Sequence, residues 1–200
     1  MSKIFYIMGK SSTGKDTIFK RLLNDESLSF KTIVPYTTRP IRDGEVEGRE
    51  YYFIDDETVE KLQSEGKIIE LREYNTYHGI WKYLTVDDGK IDLSNCDYLI
   101  IGTLESYVNT KHYYKGDELV PIYIEVDDGT RLTRALRREM KEEVPRYQEM
   151  CRRYLADCDD FSEEKLIDAE VGSENRFVNK DLDICLHEIR EYINRVRKAD

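Results

Sequence analysis

The residues Gly9-Lys10-Ser11-Ser12-Thr13-Gly14-Lys15-Asp16-Thr17 are of types and at spacings that suit the gripping of phosphate. Gly9 and Gly14 let the backbone turn so that successive amide N–H groups converge on an anion. Lys15 adds a full positive charge for the β- and γ-phosphates of a nucleotide. The spacing is G-x-x-x-x-G-K, but Asp16 stands where a Ser or Thr would complete the pattern. A second set of cations follows at Arg39, Arg42 and Arg49, with Tyr51 close behind. Forked guanidinium groups beside a phenol suit a second phosphate, and a solvated basic loop is the alternative. A third set comprises Arg131, Arg134, Arg137, Arg138, Lys141, Arg146, Arg152 and Arg153. Arg131, Arg134, Arg138 and Lys141 recur at three and four, so they share a helical face. Such a face either closes over phosphates or lies in solvent, balanced by Glu139, Glu142 and Glu143.

The flanking elements fit these roles. Lys3-Ile4-Phe5-Tyr6-Ile7-Met8 reads as a strand entering the glycine loop, and Thr17 to Leu23 reads as a helix leaving it. The helix N-terminus adds partial positive charge. Phe30 to Pro35 is a second strand. Residues 36–53 form a Pro- and Gly-punctuated loop ending in a short strand. Asp56 to Gly66 is a capped helix led by Asp56, with Val59 and Leu62 apolar. Lys67 to Arg72 is a strand containing Glu70, and Trp81 to Val86 completes a hairpin-like region. Residues 31–90 thus interrupt the βα alternation and read as an insert on a parallel-sheet core. Asp97 to Gly102 and Val120 to Val126 are apolar runs typical of buried parallel strands. Pro145 interrupts the basic helix, Arg176 to Asn179 is a short strand, and Asp181 to Arg197 is an amphipathic closing helix.

Two hundred residues suit one α/β domain. Charged residues make up 36% of the chain and its mean hydropathy is −0.67, and no run approaches the roughly 20 apolar residues of a membrane span. The N-terminus enters a strand at once, which leaves no room for a signal peptide. Cys96, Cys151, Cys158 and Cys185 form no C-x-x-C pair, and His78, His112 and His187 stand at no ligand-like spacing to them. Reduced thiols in a cytoplasmic setting are the expectation. A net charge of −10 argues against nucleic-acid binding, so polyanionic ligands require the basic residues to act locally.

The phosphate loop, followed by Thr37-Thr38-Arg39-Pro40-x-Arg42-x-Gly44-Glu45-x-x-Gly48-x-x-Tyr51-x-Phe53, resembles the guanylate kinase family. Phe177-Val178-Asn179-x-Asp181-Leu182 is similar to that family's last strand and helix start. The resemblance implies an α/β fold of the P-loop NTPase type, three-layered around a parallel sheet. It implies one domain over residues 1–200, with a core of 1–30, 91–127 and 170–200, a small mixed α+β monophosphate-binding insert over 31–90, and a helical lid over 128–169. The implied reaction is Mg2+-dependent in-line transfer of a phosphoryl group from ATP to GMP. Another phosphorylated acceptor, such as a different nucleotide or a ribose phosphate, and a non-catalytic scaffold are the alternatives. The implied setting is cytoplasmic, with ATP and GMP as partners, no nucleic acid, no membrane, and a monomer or homodimer.

Carried over by position, Gly9 to Thr17 hold ATP, and Arg39, Arg42, Tyr51 and His78 hold the acceptor phosphate. Glu70 matches the carboxylate that reads guanine, where it would accept from N1–H and the exocyclic amine together. Lys15, Arg39 and the lid arginines Arg138 and Arg153 would act on the transferring group, with Arg134, Arg137 and Arg152 as competitors for the lid positions. Three departures stand out: Pro35 precedes Thr-Thr-Arg in place of Ser, Ile80 replaces a hydroxyl residue, and no acid follows the strand ending at Gly102. Asp16 is a candidate for the missing carboxylate, as a direct or water-mediated Mg2+ partner. Alternatively it only caps the helix.

Overall fold

The computed structural model describes residues 2–76, 79–114 and 118–199. Strand β1 (Ile4–Met8) is buried along its whole length and feeds the glycine loop, from which α1 (Lys15–Leu23) departs. After β2 (Lys31–Thr32) comes a mixed unit of β3 (Tyr36–Thr37), β4 (Tyr52–Phe53), α2 (Asp56–Ser64) and a long hairpin of β5 (Ile68–Thr76) and β6 (Gly79–Val86). The chain then returns through β7 (Tyr98–Ile101), α3 (Leu104–Tyr113) and β8 (Leu119–Glu125). Helices α4 (Asp128–Glu139), α5 (Tyr147–Asp160) and α6 (Glu163–Asp168) precede β9 (Arg176–Val178) and α7 (Leu182–Lys198).

The first sheet is parallel throughout, in the order β2-β7-β1-β8-β9. Alternate residues of β1 serve opposite faces, as the period of a strand requires. Phe5 and Ile7 pack with Ile18 and Leu22 of α1 and Leu186, Ile189 and Ile193 of α7. Ile4, Tyr6 and Met8 pack with Leu104 and Tyr107 of α3 and with Phe161 and Leu166. Helices on both faces of a parallel sheet make the three-layer α/β P-loop fold. The glycine loop lies at the carboxyl end of the central strand, where ligands bind in such sheets.

The second sheet is mixed, in the order β4-β3-β6-β5, and has its own small core of Val59, Leu84 and Val86. Its first strand is Tyr36–Thr37, because Lys31–Thr32 pairs with Tyr98 and Leu99 in the parallel sheet. The inserted unit therefore starts a few residues later than position 31. At the other margin, Leu166 and Ala169 pack in the main core, although the sequence grouped them with the lid.

Local signals set the boundaries. Asp55, one residue earlier than expected, caps α2 by accepting from the Thr58 N–H at 2.9 Å. Asp181 caps α7 by accepting from the amides of Asp183 and Ile184. Pro145 falls in the break between α4 and α5, where its missing N–H costs no helical bond. The four cysteines are free thiols, and burial pushes the Cys185 thiol up to about 11. Among the described residues, no helix is long and apolar enough to cross a membrane.

Candidate active site

The phosphate loop is held from outside. Asn179, just beyond β9, donates from Nδ2 to the Thr13 carbonyl at 2.7 Å, and its own amide donates to Glu125 O at 2.8 Å. Gly14 has φ +89°, and a Cβ there would meet Asn179 Nδ2 at 2.5 Å, so glycine is required by both conformation and space. Ser12 also adopts a left-handed φ of 67°, and its buried hydroxyl has no hydrogen-bond partner among the described residues. Lys15 opens α1, with Nζ 3.4 Å from Asp16 Oδ2. Asp16 lies in the first turn but makes no capping bond, because the cap position is Gly14. Its side chain is exposed.

Above the loop lies a cavity of about 600 Å³ between Lys15 and the helices α4 and α5. Arg138 and Arg153 are on its wall, as is Arg146. Arg153 donates to Glu149 at 2.7 Å, and so does Arg152 at 2.7 Å, although Arg152 lies off the cavity wall. Arg134 instead reaches the Asn179 carbonyl at 3.3 Å, and Arg137 is also off the wall. The residue that ties α4 and α5 to the loop is Arg131, which the sequence placed only within the basic face. It is 1% exposed. Its Nε donates to the Ser11 carbonyl at 3.1 Å, its Nη1 to Asp128 at 2.5 Å and its Nη2 to Asp157 at 3.2 Å, and its guanidinium lies over the Tyr154 ring. The same Asp157 carboxylate accepts from the Ser11 amide at 2.8 Å. Tyr154 and Asp157 stand one and four positions after Arg153, a helical spacing that marks Arg153 and Asp157 as neighbours on one face.

A second cavity, of about 330 Å³, lies between the loop and the inserted sheet. Lys15 and Asp16 wall this cavity as well as the first, so the two are separated by the start of α1. Tyr51, Tyr74 and Tyr83 form its aromatic side, with Tyr51 and Tyr74 each meeting Tyr83 edge-on at 5.8 and 5.6 Å. Pro35 and Gly102 also line it, whereas Ile80 lies in a separate depression on the outer face.

Arg39 is 3% exposed and packs behind Tyr51, with its guanidinium 4.9 Å from that ring and 5.5 Å from Phe53. Glu45 takes its fork: Nη1 donates to Oε2 at 2.8 Å and Nη2 to Oε1 at 2.6 Å. These bonds hold the Glu45 carboxyl down at about 2, and hold the Arg39 pKa above its ordinary value. Arg42 donates from its backbone to Glu45 at 2.9 Å, but its side chain is exposed on the outer face. The structure therefore brings Arg39 and Tyr51 together and sets the Arg42 side chain apart. His78 lies outside the described residues.

Glu70 does not reach the cavity wall. Its side chain is 0% exposed, and the groups in front of it are Arg72 and Thr85. Arg72 donates from Nε to Glu70 Oε2 at 2.9 Å, and Thr85, its cross-strand partner, donates to Oε1 at 3.0 Å. Burial works against the Arg72 charge, but the Glu70 carboxylate outweighs it and holds the guanidinium's pKa above its usual value. Arg72 went unremarked in the sequence, yet Glu70, Arg72 and Tyr74 alternate along β5 with the period that puts side chains on one face. Gly102 is bare for a steric reason. A Cβ there would collide with the hydroxyl of Tyr6, which fills that space from β1. Tyr6 makes no well-formed hydrogen bond among the described residues, and burial raises its pKa against the pull of the nearby Ser106 hydroxyl.

No cluster of three metal-binding side chains occurs among the described residues. Asp16, exposed where the two cavities meet, is a carboxylate of the kind that Mg2+ takes as a ligand.

The sequence and the fold have counterparts in known proteins. The guanylate kinase family model matches residues 1–84. The guanylate kinase of Mycoplasma mobile is 36% identical over 150 residues, which cover 71% of this chain and 73% of that protein. The guanylate kinase of Wigglesworthia glossinidia brevipalpis is 39% identical over 83 residues, covering 40% of each. A crystal structure of guanylate kinase from Anaplasma phagocytophilum superposes with a TM-score of 0.66 at 20% identity, over 100% of this chain and 87% of that one, and shows the shared fold. With a relative this similar over most of both chains, the protein belongs to the guanylate kinase family, which are nucleoside monophosphate kinases.

Proposed function

We propose that this chain transfers the terminal phosphoryl group of ATP to GMP, giving ADP and GDP. The observation that carries the reading is the sharing of Lys15 and Asp16 by both cavities. A donor held above the loop and an acceptor held below it would meet at those two residues, as in-line transfer requires.

The acceptor's phosphate is already ionised near neutral pH, so no general base is needed. The chain's contribution is alignment and charge neutralisation. Lys15 and the loop amides would hold the ATP phosphates, and the Ser12 hydroxyl would gain the partner it lacks. Arg39, Arg42 and Tyr51 would fix the acceptor phosphate. Glu45 and the Pro40 carbonyl take three of the five N–H groups of Arg39, which leaves Nε–H and one Nη2–H for an incoming oxygen. Arg42 has to swing inward from the outer face to take part. Arg138 and Arg153 would close over the migrating group and help to exclude water, which otherwise competes as acceptor. Mg2+, brought in with ATP and met by Asp16, would neutralise charge on the phosphate oxygens. The acting species is a monomer or a homodimer. The setting we assign is the cytoplasm, in purine nucleotide metabolism.

The test is ADP formation from ATP and Mg2+ with GMP, dGMP, AMP, UMP, CMP and ribose phosphates, with Lys15→Ala as control. Turnover of GMP that falls about 100-fold or more in the variant supports the reading. Turnover of another acceptor in preference to GMP would overturn it.

A further inference from the structure

The acceptor cavity offers donors where the family resemblance leads one to expect an acceptor. Glu70 is fully buried, and both of its oxygens are engaged: Oε2 by Arg72, and Oε1 by Thr85 with a longer bond from Arg72 Nη2 at 3.4 Å. The charged group at the wall on that side is the Arg72 guanidinium. Glu70 holds it by Nε and Nη2, and Nη1 donates to the Thr103 hydroxyl at 3.2 Å and to the Tyr74 hydroxyl at 3.4 Å, so one Nη2 N–H is free and the long Nη1–Tyr74 bond is the one a base would displace. Nearby stand the hydroxyls of Thr103 and Ser106 and the unpartnered hydroxyl of Tyr6, which occupies the space that a side chain at position 102 would need. Asp16, at the phosphate end, is the one carboxylate among the described residues of the wall.

We propose that Arg72 is the residue that selects the acceptor's base, donating to O6 and N7 of guanine, and that Glu70 is a positioning residue acting through it. This rests on the GMP kinase reading above. A guanidinium has only donors. Guanine presents two adjacent acceptors at O6 and N7, whereas adenine presents N7 beside the N6 amine, which is itself a donor. Arg72 thus matches guanine and meets a like group on adenine. The exocyclic amine of guanine, which a free carboxylate would read, does not enter this recognition. Hypoxanthine, which keeps O6 and N7 and lacks that amine, is therefore read in the same way.

The experiment is steady-state kinetics of the wild type with GMP, IMP, AMP and 7-deaza-GMP, and of Arg72→Met and Glu70→Gln with GMP, IMP and AMP. The wild type is expected to use IMP with kcat/KM within about tenfold of GMP, and to lose roughly 5- to 150-fold with 7-deaza-GMP, the discrimination of one arginine–base pair. Arg72→Met should lose most of its preference for GMP over AMP, through KM more than kcat. Glu70→Gln should weaken GMP and IMP alike. Discrimination against IMP by more than about 100-fold would overturn the proposal, because a site built to bond the amine rejects the analogue lacking it. So would a Glu70→Gln loss confined to GMP, or an Arg72→Met that still prefers GMP. If Arg72→Met does not fold, with Glu70 left buried and unpaired, the analogue series with the wild type decides alone. Turnover of no purine monophosphate would instead overturn the kinase reading itself, and this proposal with it.

Discussion

The carboxylate of Asp157 rests on the amide of Ser11, 2.8 Å away, so α5 places an anion on the loop proposed to hold phosphates. The same carboxylate holds the buried guanidinium of Arg131. In the free protein it acts as an internal competitor for one loop amide. Asp157→Asn is expected to tighten ATP binding a few-fold, about 1 kcal/mol, measured by calorimetry. It should also lower the thermal midpoint of the free protein, because Arg131 keeps only Asp128 as a charged partner. Unchanged ATP affinity would show that the contact does not compete.

The Arg39–Glu45 pair sets a pH dependence of stability. The Glu45 carboxyl, held down by its bonds from Arg39, has a folded pKa of about 2, below its unfolded value near 4.5. Its contribution is therefore complete above pH 4.5 and lost as pH falls toward 2. Glu45→Gln should cost roughly 1–3 kcal/mol at neutral pH, and the gap from wild type should close across that acid window. Urea unfolding at stepped pH measures it. A gap of constant size would mean that the pair does not carry the effect.

Tyr6 and Gly102 form a steric couple across adjacent strands. Gly102→Ala should destabilise the protein by about 1–3 kcal/mol, as overpacking does, and Tyr6→Phe should restore part of the loss in the double variant. Thermal unfolding of the four proteins tests this. Additive losses would show that the hydroxyl is not the obstacle.

Asp16 is the one side chain assigned to the metal. Asp16→Ser should raise the Mg2+ concentration needed for half-maximal turnover by on the order of threefold or more. Titration of Mg2+ at fixed ATP checks it. An unchanged requirement would remove Asp16 from the metal's coordination.

The architecture was legible because its signals are local. The glycine loop lies between an apolar strand and a helix, and the apolar runs at 97–102 and 120–126 are typical of inner strands of a parallel sheet. The residues proposed to bind phosphate come from the same stretch. The acceptor side was less legible, because its decisive facts are tertiary. Nothing in Glu70-Leu71-Arg72 says that the arginine turns back to cover the glutamate, since that depends on Thr85 opposite and on Thr103 from another element. The bare Gly102 reads as a missing acid until the Tyr6 hydroxyl is seen in its place, 96 positions earlier in the chain. Arg131 looked like one cation among many on a solvated helix. Its burial depends on contacts with Ser11 and Asp157, both distant in sequence.

The start of α1 is a partition, with Lys15 and Asp16 facing a cavity on each side. A single molecule could therefore lie across it. Adenosine and guanosine joined through a chain of phosphates would place one nucleoside in each cavity and thread its anionic linker past Lys15. Once one end is seated, the other binds at the effective concentration set by the linker, so affinity should peak at the chain length that spans the partition and fall on either side. That optimum length would measure, in phosphate units, the distance between the two sites in solution.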